Sequence, residues 1–307
     1  MKQNGSPNET AGLIAGVAAF VTWGLIPVYW KLLQFVPAIE ILAHRFVWTW
    51  IFMLLLLSMQ SRWPEVRANL RSRRTALFCA ASGLAIAVNW YVFIWAVNAG
   101  RVLETSLGYF MTPLVNVLFG ALFLRERLTR AQLLSVLIAA GAVSFLTFGF
   151  GHLPWVALAL CFSFGLYGLF RKVSGAASMP GLFLETTVIL PVALGGLFYL
   201  ASKGTGHFQL SAPRSSLLLA STGIVTAVPL LWFAHAARNL RLTTLGFLQY
   251  LSPSCTFFLS IFVFHEPFRR AQFITFALIW LALAIFTADA LARWRATRPG
   301  ALRPVEM

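Results

Sequence analysis

The sequence predicts an all-α integral membrane protein of ten transmembrane helices, built as two inverted five-helix repeats around a central cavity. Three observations lead there: composition, the spacing of apolar runs, and an internal repeat. Of 307 residues, 59% are hydrophobic and only 11% charged, with a mean hydropathy of +0.78. A soluble domain runs at about 45–50% apolar and about 25% charged. One water-soluble core of this size cannot hold the excess, so most of it faces lipid.

Crossing a hydrocarbon core of about 30 Å takes about 20 apolar residues as a helix. Such runs fall near 11–32, 37–59, 75–98, 102–124 and 131–149, then near 153–170, 181–201, 215–237, 242–264 and 270–290. The polar stretch before the first run carries only Lys2 as a basic residue, and no small-residue cleavage site follows. That run therefore reads as a retained helix, not a signal peptide. Lys and Arg number 17 on the side of the termini against 6 opposite, with Arg45 inside a span. The positive side is cytoplasmic. The expected organisation is a cytoplasmic tail 1–10, a first repeat 11–149, a second repeat 153–290 and a basic cytoplasmic tail 291–307. The loops are too short for a soluble catalytic domain.

The net charge of +15 lies between apolar runs and forms no stripe, which argues against nucleic acid. The expected partners are the lipid bilayer and a small-molecule substrate. Cys79, Cys161 and Cys255 sit within apolar runs without paired or metal-like spacing and read as packing residues. No metal or other cofactor is expected.

Displacing the chain by 140 positions aligns residues 82–148 with 222–288 without a gap. Gly83/Gly223, Phe93/Phe233, Pro113/Pro253 and Glu126/Glu266 are identical, and Arg130-Ala131-Gln132 recurs as Arg270-Ala271-Gln272. Upstream, a displacement of 141 pairs Gly24 with Gly165 and Lys31 with Lys172. Five helices is an odd number, so the second copy enters upside down. Inverted repeats are a transporter architecture, in which two halves exchange conformations around a midplane site; a purely structural duplication is the plainer alternative.

Several residues do not belong in oil. The second span carries Glu40, His44 and Arg45 within two turns, Glu40 and His44 sharing a face. A central Arg costs about 2.5–3.5 kcal/mol on insertion scales and is usually paired or turned to a wet cavity. The trio is either an ion-pair brace or part of a substrate path. Glu185 is the second lone carboxylate, and it and Glu40 are the candidates for proton coupling. Tyr109, Thr112 and Asn116 form one polar stripe beside Pro113. Gln249, Ser252 and Thr256 repeat it beside Pro253, and the two stripes would face each other across a pseudo-two-fold axis. Each proline removes a backbone donor and frees a carbonyl. Trp23, Asn89, Trp90 and Tyr250 sit deep enough to wall a pocket, whereas Tyr29 and Trp232 fit interfacial anchors. The candidate substrate-binding set is thus Trp23, His44, Arg45, Asn89, Trp90, Tyr109, Thr112, Asn116, Gln249, Tyr250 and Ser252, suited to a small amphipathic organic solute. No catalytic motif appears: His265-Glu266-Pro267 lacks the second histidine of a zinc helix. An intramembrane enzyme using Glu40, His44 and His235, a channel and a scaffold are the competing readings. Ala139, Ala140, Gly141 and Ser144 would admit a close helix, either internal or in a homodimer through peripheral helices.

Six segments together carry a resemblance. They are Trp23-Gly24-Leu25-Ile26-Pro27-Val28-Tyr29-Trp30-Lys31, Glu40-Ile41-Leu42-Ala43-His44-Arg45-Phe46-Val47-Trp48, Ser106-Leu107-Gly108-Tyr109-Phe110, Tyr167-Gly168-Leu169-Phe170-Arg171-Lys172, Gly181-Leu182-Phe183-Leu184-Glu185-Thr186 and Gln249-Tyr250-Leu251-Ser252-Pro253. The chain resembles the RarD branch of the EamA family, in the drug/metabolite transporter superfamily, over nearly its whole length. The resemblance implies a bacterial inner-membrane protein with two EamA repeats, a cavity lined by helices 1–4 and 6–9, and peripheral helices 5 and 10. It implies an efflux permease of the kind associated with chloramphenicol sensitivity or resistance. Thr49 stands where that branch is expected to have Ser, a mild departure.

Overall fold

The computed structural model describes residues 7–125, 127–150, 153–209, 211–240, 244 and 248–296. Among them there is helix and connecting loop, and no strand. In chain order these are α1 (Pro7–Lys31), α2 (Ala38–Met59), α3 (Trp63–Arg71), α4 (Arg73–Asn98), α5 (Val102–Leu124) and α6 (Arg130–Phe150). They continue as α7 (Trp155–Ser174), α8 (Ser178–Ser202), α9 (Pro213–Asn239), α10 (Leu251–Phe258, running on as a π-helical stretch Leu259–Val263) and α11 (Arg270–Ala296). Within lipid every backbone donor and acceptor must be satisfied inside the segment, which is why apolar runs of this length become helices. Nine helices among the described residues are long and apolar enough to cross a membrane, and Leu251–Val263 is a shorter apolar one. The run expected over 242–264 falls partly outside the described residues.

Helix ends follow local chemistry. The Ser72 side chain accepts from the Thr75 amide and caps α4. Gly100 and Gly204 close α4 and α8 at φ +69° and +66°, the left-handed region that glycine enters without a Cβ penalty. The sequence did not mark α3, whose nine residues are too short and too polar to span. It buries Val66, and Arg62 just before it grips Glu65 through two 2.7 Å bonds.

The chain forms two compact units, residues 1–112 with 155–267 and residues 113–154 with 268–307. In the first, α1 packs on α9 and α10, α2 on α8 and α9, and α4 on α7 and α8. Close approaches are set by glycines: a Cβ on Gly83 would stand 2.8 Å from the Glu185 carbonyl oxygen, and one on Gly24 2.5 Å from Cys255 Cβ. In the second, α6 packs on α11, with Thr275 reaching the Ala142 carbonyl and the Thr129 hydroxyl donating to Asp289. Ala139 and Ala142 are buried, while Ala140, Gly141 and Ser144 lie on the exposed side of α6. Burial runs opposite to that of a soluble protein. Val192 and Phe198 on α8 are each 77% exposed, whereas Glu185 on the same helix is fully buried. An apolar outside and a polar inside are what a bilayer selects.

Candidate functional site

Arg45 lies in the second turn of α2 and is buried. Its Nε donates to Thr226 Oγ1 on α9 at 2.9 Å. The guanidinium lies 3.7 Å from the ring centroid of Trp90 on α4 and 5.2 Å from that of Trp30 on α1. No carboxylate pairs with it among the described residues, and neither Nη atom has a hydrogen-bond partner or is sealed by its neighbours. Phenols flank it. Tyr109 donates to Asn89 Oδ1 at 3.0 Å, and the Asn89 amide donates to the Leu160 carbonyl and to Ser163, both at 3.0 Å. Tyr29 donates to the Leu218 carbonyl and lies 2.9 Å from Ser221 Oγ. A cation over an aromatic face gains about 0.5–2 kcal/mol, less than the several kcal/mol an ion loses on leaving water.

Glu40 does not go to Arg45. Its carboxylate accepts from the His207 backbone amide at 2.6 Å and meets His207 Nδ1 at 2.8 Å, tying down the loop between α8 and α9. The next residue in that loop, Phe208, stacks on His44 with ring centroids 5.1 Å apart. Both nitrogens of His44 are buried without a partner.

Glu185 is fully buried between α4, α7 and α8. Ser82 donates to its Oε1 at 2.7 Å, and Arg171 Nη1 stands 3.3 Å from the same oxygen. Space for that guanidinium is made by Gly181, where a Cβ would stand 1.7 Å from Arg171 Nη1. Glu185 Oε2 and Arg171 Nη1 make no hydrogen bond, so the pair is close but only partly satisfied.

The proline stripes are used differently from one another. Thr112 donates back to the Gly108 carbonyl of its own helix, and Asn116 is exposed. Thr256 donates to the Gly24 carbonyl on α1 and to the Ser252 carbonyl, while Ser106 reaches the Pro253 carbonyl at 2.8 Å. Gln249, Tyr250 and Ser252 are half-buried. Trp23 packs edge-on to Phe20 and against Phe233, and His235 is exposed, its carbonyl bonded by Asn239. The structure therefore brings Arg45, Trp90, Asn89 and Tyr109 into one neighbourhood. Glu40 with His44, and Glu185, form separate clusters. Sequence reasoning missed Trp30 and Thr226 beside Arg45, His207 beside Glu40, and Arg171 and Ser82 beside Glu185.

Glu266 was visible as a repeated residue without a role. Its carboxylate accepts from the amides of Val102 and Leu103 at 2.7 and 2.8 Å, so it caps the start of α5. Burial raises this carboxyl above its ordinary range, and the two amides pull it part of the way back. Its counterpart Glu126 lies outside the described residues, as does Arg241. No cluster of His, Cys, Asp or Glu suited to a metal occurs among the described residues.

The chain is 45% identical over 295 residues to the uncharacterized transporter YojE of Bacillus subtilis, covering 94% of this chain and 97% of that protein. It is 43% identical to the protein RarD of Escherichia coli, covering 93% and 97%. The chain belongs to the RarD branch of the EamA-like transporter family. The profile of that family matches residues 10–148. A chloramphenicol-sensitive protein RarD of Pseudomonas aeruginosa is 33% identical over 89% of this chain and 92% of its own length. A solved crystal structure of a protein aligns with 92% of the chain and 99% of its own at a TM-score of 0.55 and 17% identity, a likeness of fold alone. This EamA-family chain is a multi-pass membrane protein, and its buried polar residues are judged on that footing.

Proposed function

We propose that this chain is an alternating-access permease that carries a small organic solute outward across the bacterial inner membrane, both termini lying in the cytoplasm. The observation that carries the reading is Arg45, a buried cation between two tryptophans with no anion beside it among the described residues. A stabilising brace would be paired; a group kept charged and unpaired in the interior is kept for something that comes and goes. Trp90, Asn89 and Tyr109 form the rest of the contact surface. The relatives' names support transport, and one of them is named for chloramphenicol sensitivity.

Two inverted repeats are part of the same proposal, supported by contacts that recur 140 or 141 positions apart. Tyr29 bonds Leu218, and the corresponding pair Phe170 and Phe78 is in ring contact. A Cβ on Gly16 would touch Leu248 at 2.8 Å, and one on Gly108 the Ala157 carbonyl at 2.7 Å. Arg125 and His265 both take positive φ, 56° and 52°. The amides of Thr129 and Arg269 donate to the side chains of Gln132 and Gln272 at 3.0 and 2.8 Å.

Purified full-length protein in liposomes, loaded in turn with chloramphenicol, an amino-acid mixture or a mixture of small organic acids, tests the reading. A carrier gives saturable counterflow of unchanged solute, lost in Arg45→Ala. A chemically altered solute would make it an enzyme, non-saturating flux a channel, and no flux for any solute a scaffold. Proton exchange belongs to Glu40 or Glu185 in this reading. Flux whose dependence on a pH gradient survives in both Glu40→Gln and Glu185→Gln removes that role.

A further inference from the structure

We infer that the solute is a net organic anion, its carboxylate taken by Arg45 and its apolar body lying along the Trp90 and Tyr109 rings; this rests on the carrier reading above. Charge is the first argument. The buried carboxyl, guanidinium and imidazole side chains of this unit, among the described residues, are Glu40, Glu185, Arg45 and His44. Both carboxylates are committed, Glu40 to His207 and Glu185 to Arg171 and Ser82. Arg45 alone has no counter-charge. A zwitterion or an amine would bring a second cation into an interior whose acids are already taken, whereas a monoanion makes the loaded site neutral.

Hydrogen-bond valence is the second, independent argument. The unpartnered polar atoms around Arg45 can all donate, among the described residues. Its two Nη groups have no acceptor, and the buried Trp30 Nε1, whose ring lies against the guanidinium, has none either. Thr49, one turn further along the same face of α2, buries a hydroxyl without a partner. Nearby acceptors are used: Thr226 Oγ1 by Arg45 itself, and Asn89 Oδ1 by Tyr109. A surface whose unpartnered groups are N–H donors and one hydroxyl able to donate fits a carboxylate, which only accepts, and its fork matches the two Nη groups. The Trp90 face packs one side of the guanidinium and leaves its edge for that contact.

The test uses three solutes of one shape and different charge: indole-3-acetate, indole-3-acetamide and tryptamine. Each is titrated into the full chain in detergent and melting is followed; binding to the folded state alone raises Tm. The expected result is a rise of several degrees with indole-3-acetate, at least tenfold weaker apparent affinity for the amide and the amine, and loss of the rise in Arg45→Gln with partial retention in Arg45→Lys. Without ligand, Arg45→Gln should melt at or above the wild type, because an uncompensated buried cation has gone. Equal or better response to the amide or the amine overturns the inference while leaving a carrier of another solute class. A response to the acid that survives Arg45→Gln, or no response to the acid, also overturns it. An unliganded Arg45→Gln melting several degrees below wild type would make Arg45 a brace and sink the inference on its own. Failure of the carrier reading is a separate result, read from the absence of saturable flux for any solute in liposomes.

Discussion

Arg45 and Glu185 are both buried in the same helical unit, yet their surroundings differ in kind. Glu185 lies 3.3 Å from Arg171 and 2.7 Å from the Ser82 hydroxyl. Arg45 has two tryptophan faces, one threonine hydroxyl and, among the described residues, no anion. A buried charge with its partner is compensated within the fold, and removing either member leaves the other stranded. A buried charge without one weakens the empty protein and is tolerated where a ligand completes it. Burial alone therefore does not separate the two ions; the partner does.

Arg171→Ala should have the largest effect, a loss of about 3–5 kcal/mol from the stranded Glu185, with much of it recovered in the double variant Arg171→Ala, Glu185→Gln. Chemical denaturation in mixed micelles measures both. If Arg45→Ala costs as much as Arg171→Ala, the contrast between the clusters fails. Gly181→Ala sharpens the contrast, because its methyl would occupy the place of Arg171 Nη1 and push the guanidinium off Glu185. The expected cost is about 1–3 kcal/mol, and it should vanish in an Arg171→Ala background. Asn89→Leu removes the acceptor of Tyr109 and the donor to Leu160. A loss of about 1–2 kcal/mol is expected, with weaker solute binding if Tyr109 swings away. Trp90→Leu is the mildest: about 0.5–2 kcal/mol of cation–π attraction is lost. That attraction exists in the empty protein, so melting falls with it. Solute affinity, read by isothermal titration with indole-3-acetate, falls as well because the ring's contact with the solute is gone.

Much of the fold was legible because its signals are local or periodic. Apolar runs of the right length marked the spans. The short amphipathic α3 was hidden because a loop rich in arginine reads as solvated. The site was legible only in part. Arg45, Trp90, Asn89 and Tyr109 stood out as polar or aromatic residues inside spans, and they do lie together. Thr226 and Trp30 did not, since a threonine and a tryptophan in an apolar run carry no mark of what they touch. His207 and Arg171 looked like ordinary loop and interface residues until the buried carboxylates were seen beside them.

The amino-acid sequence by itself determined that the chain lies in a bilayer, since its apolar content exceeds what a soluble core can hold, and where its helices run, since lipid leaves an apolar segment no other way to satisfy its backbone. It also determined which charges would be costly. Tertiary structure alone decided which of those charges is compensated. Partnership between Glu185 and Arg171, or between Glu40 and His207, depends on side chains from different helices meeting within a few ångströms, and no local pattern encodes that distance. Arg45 was left by the same packing without a carboxylate partner among the described residues.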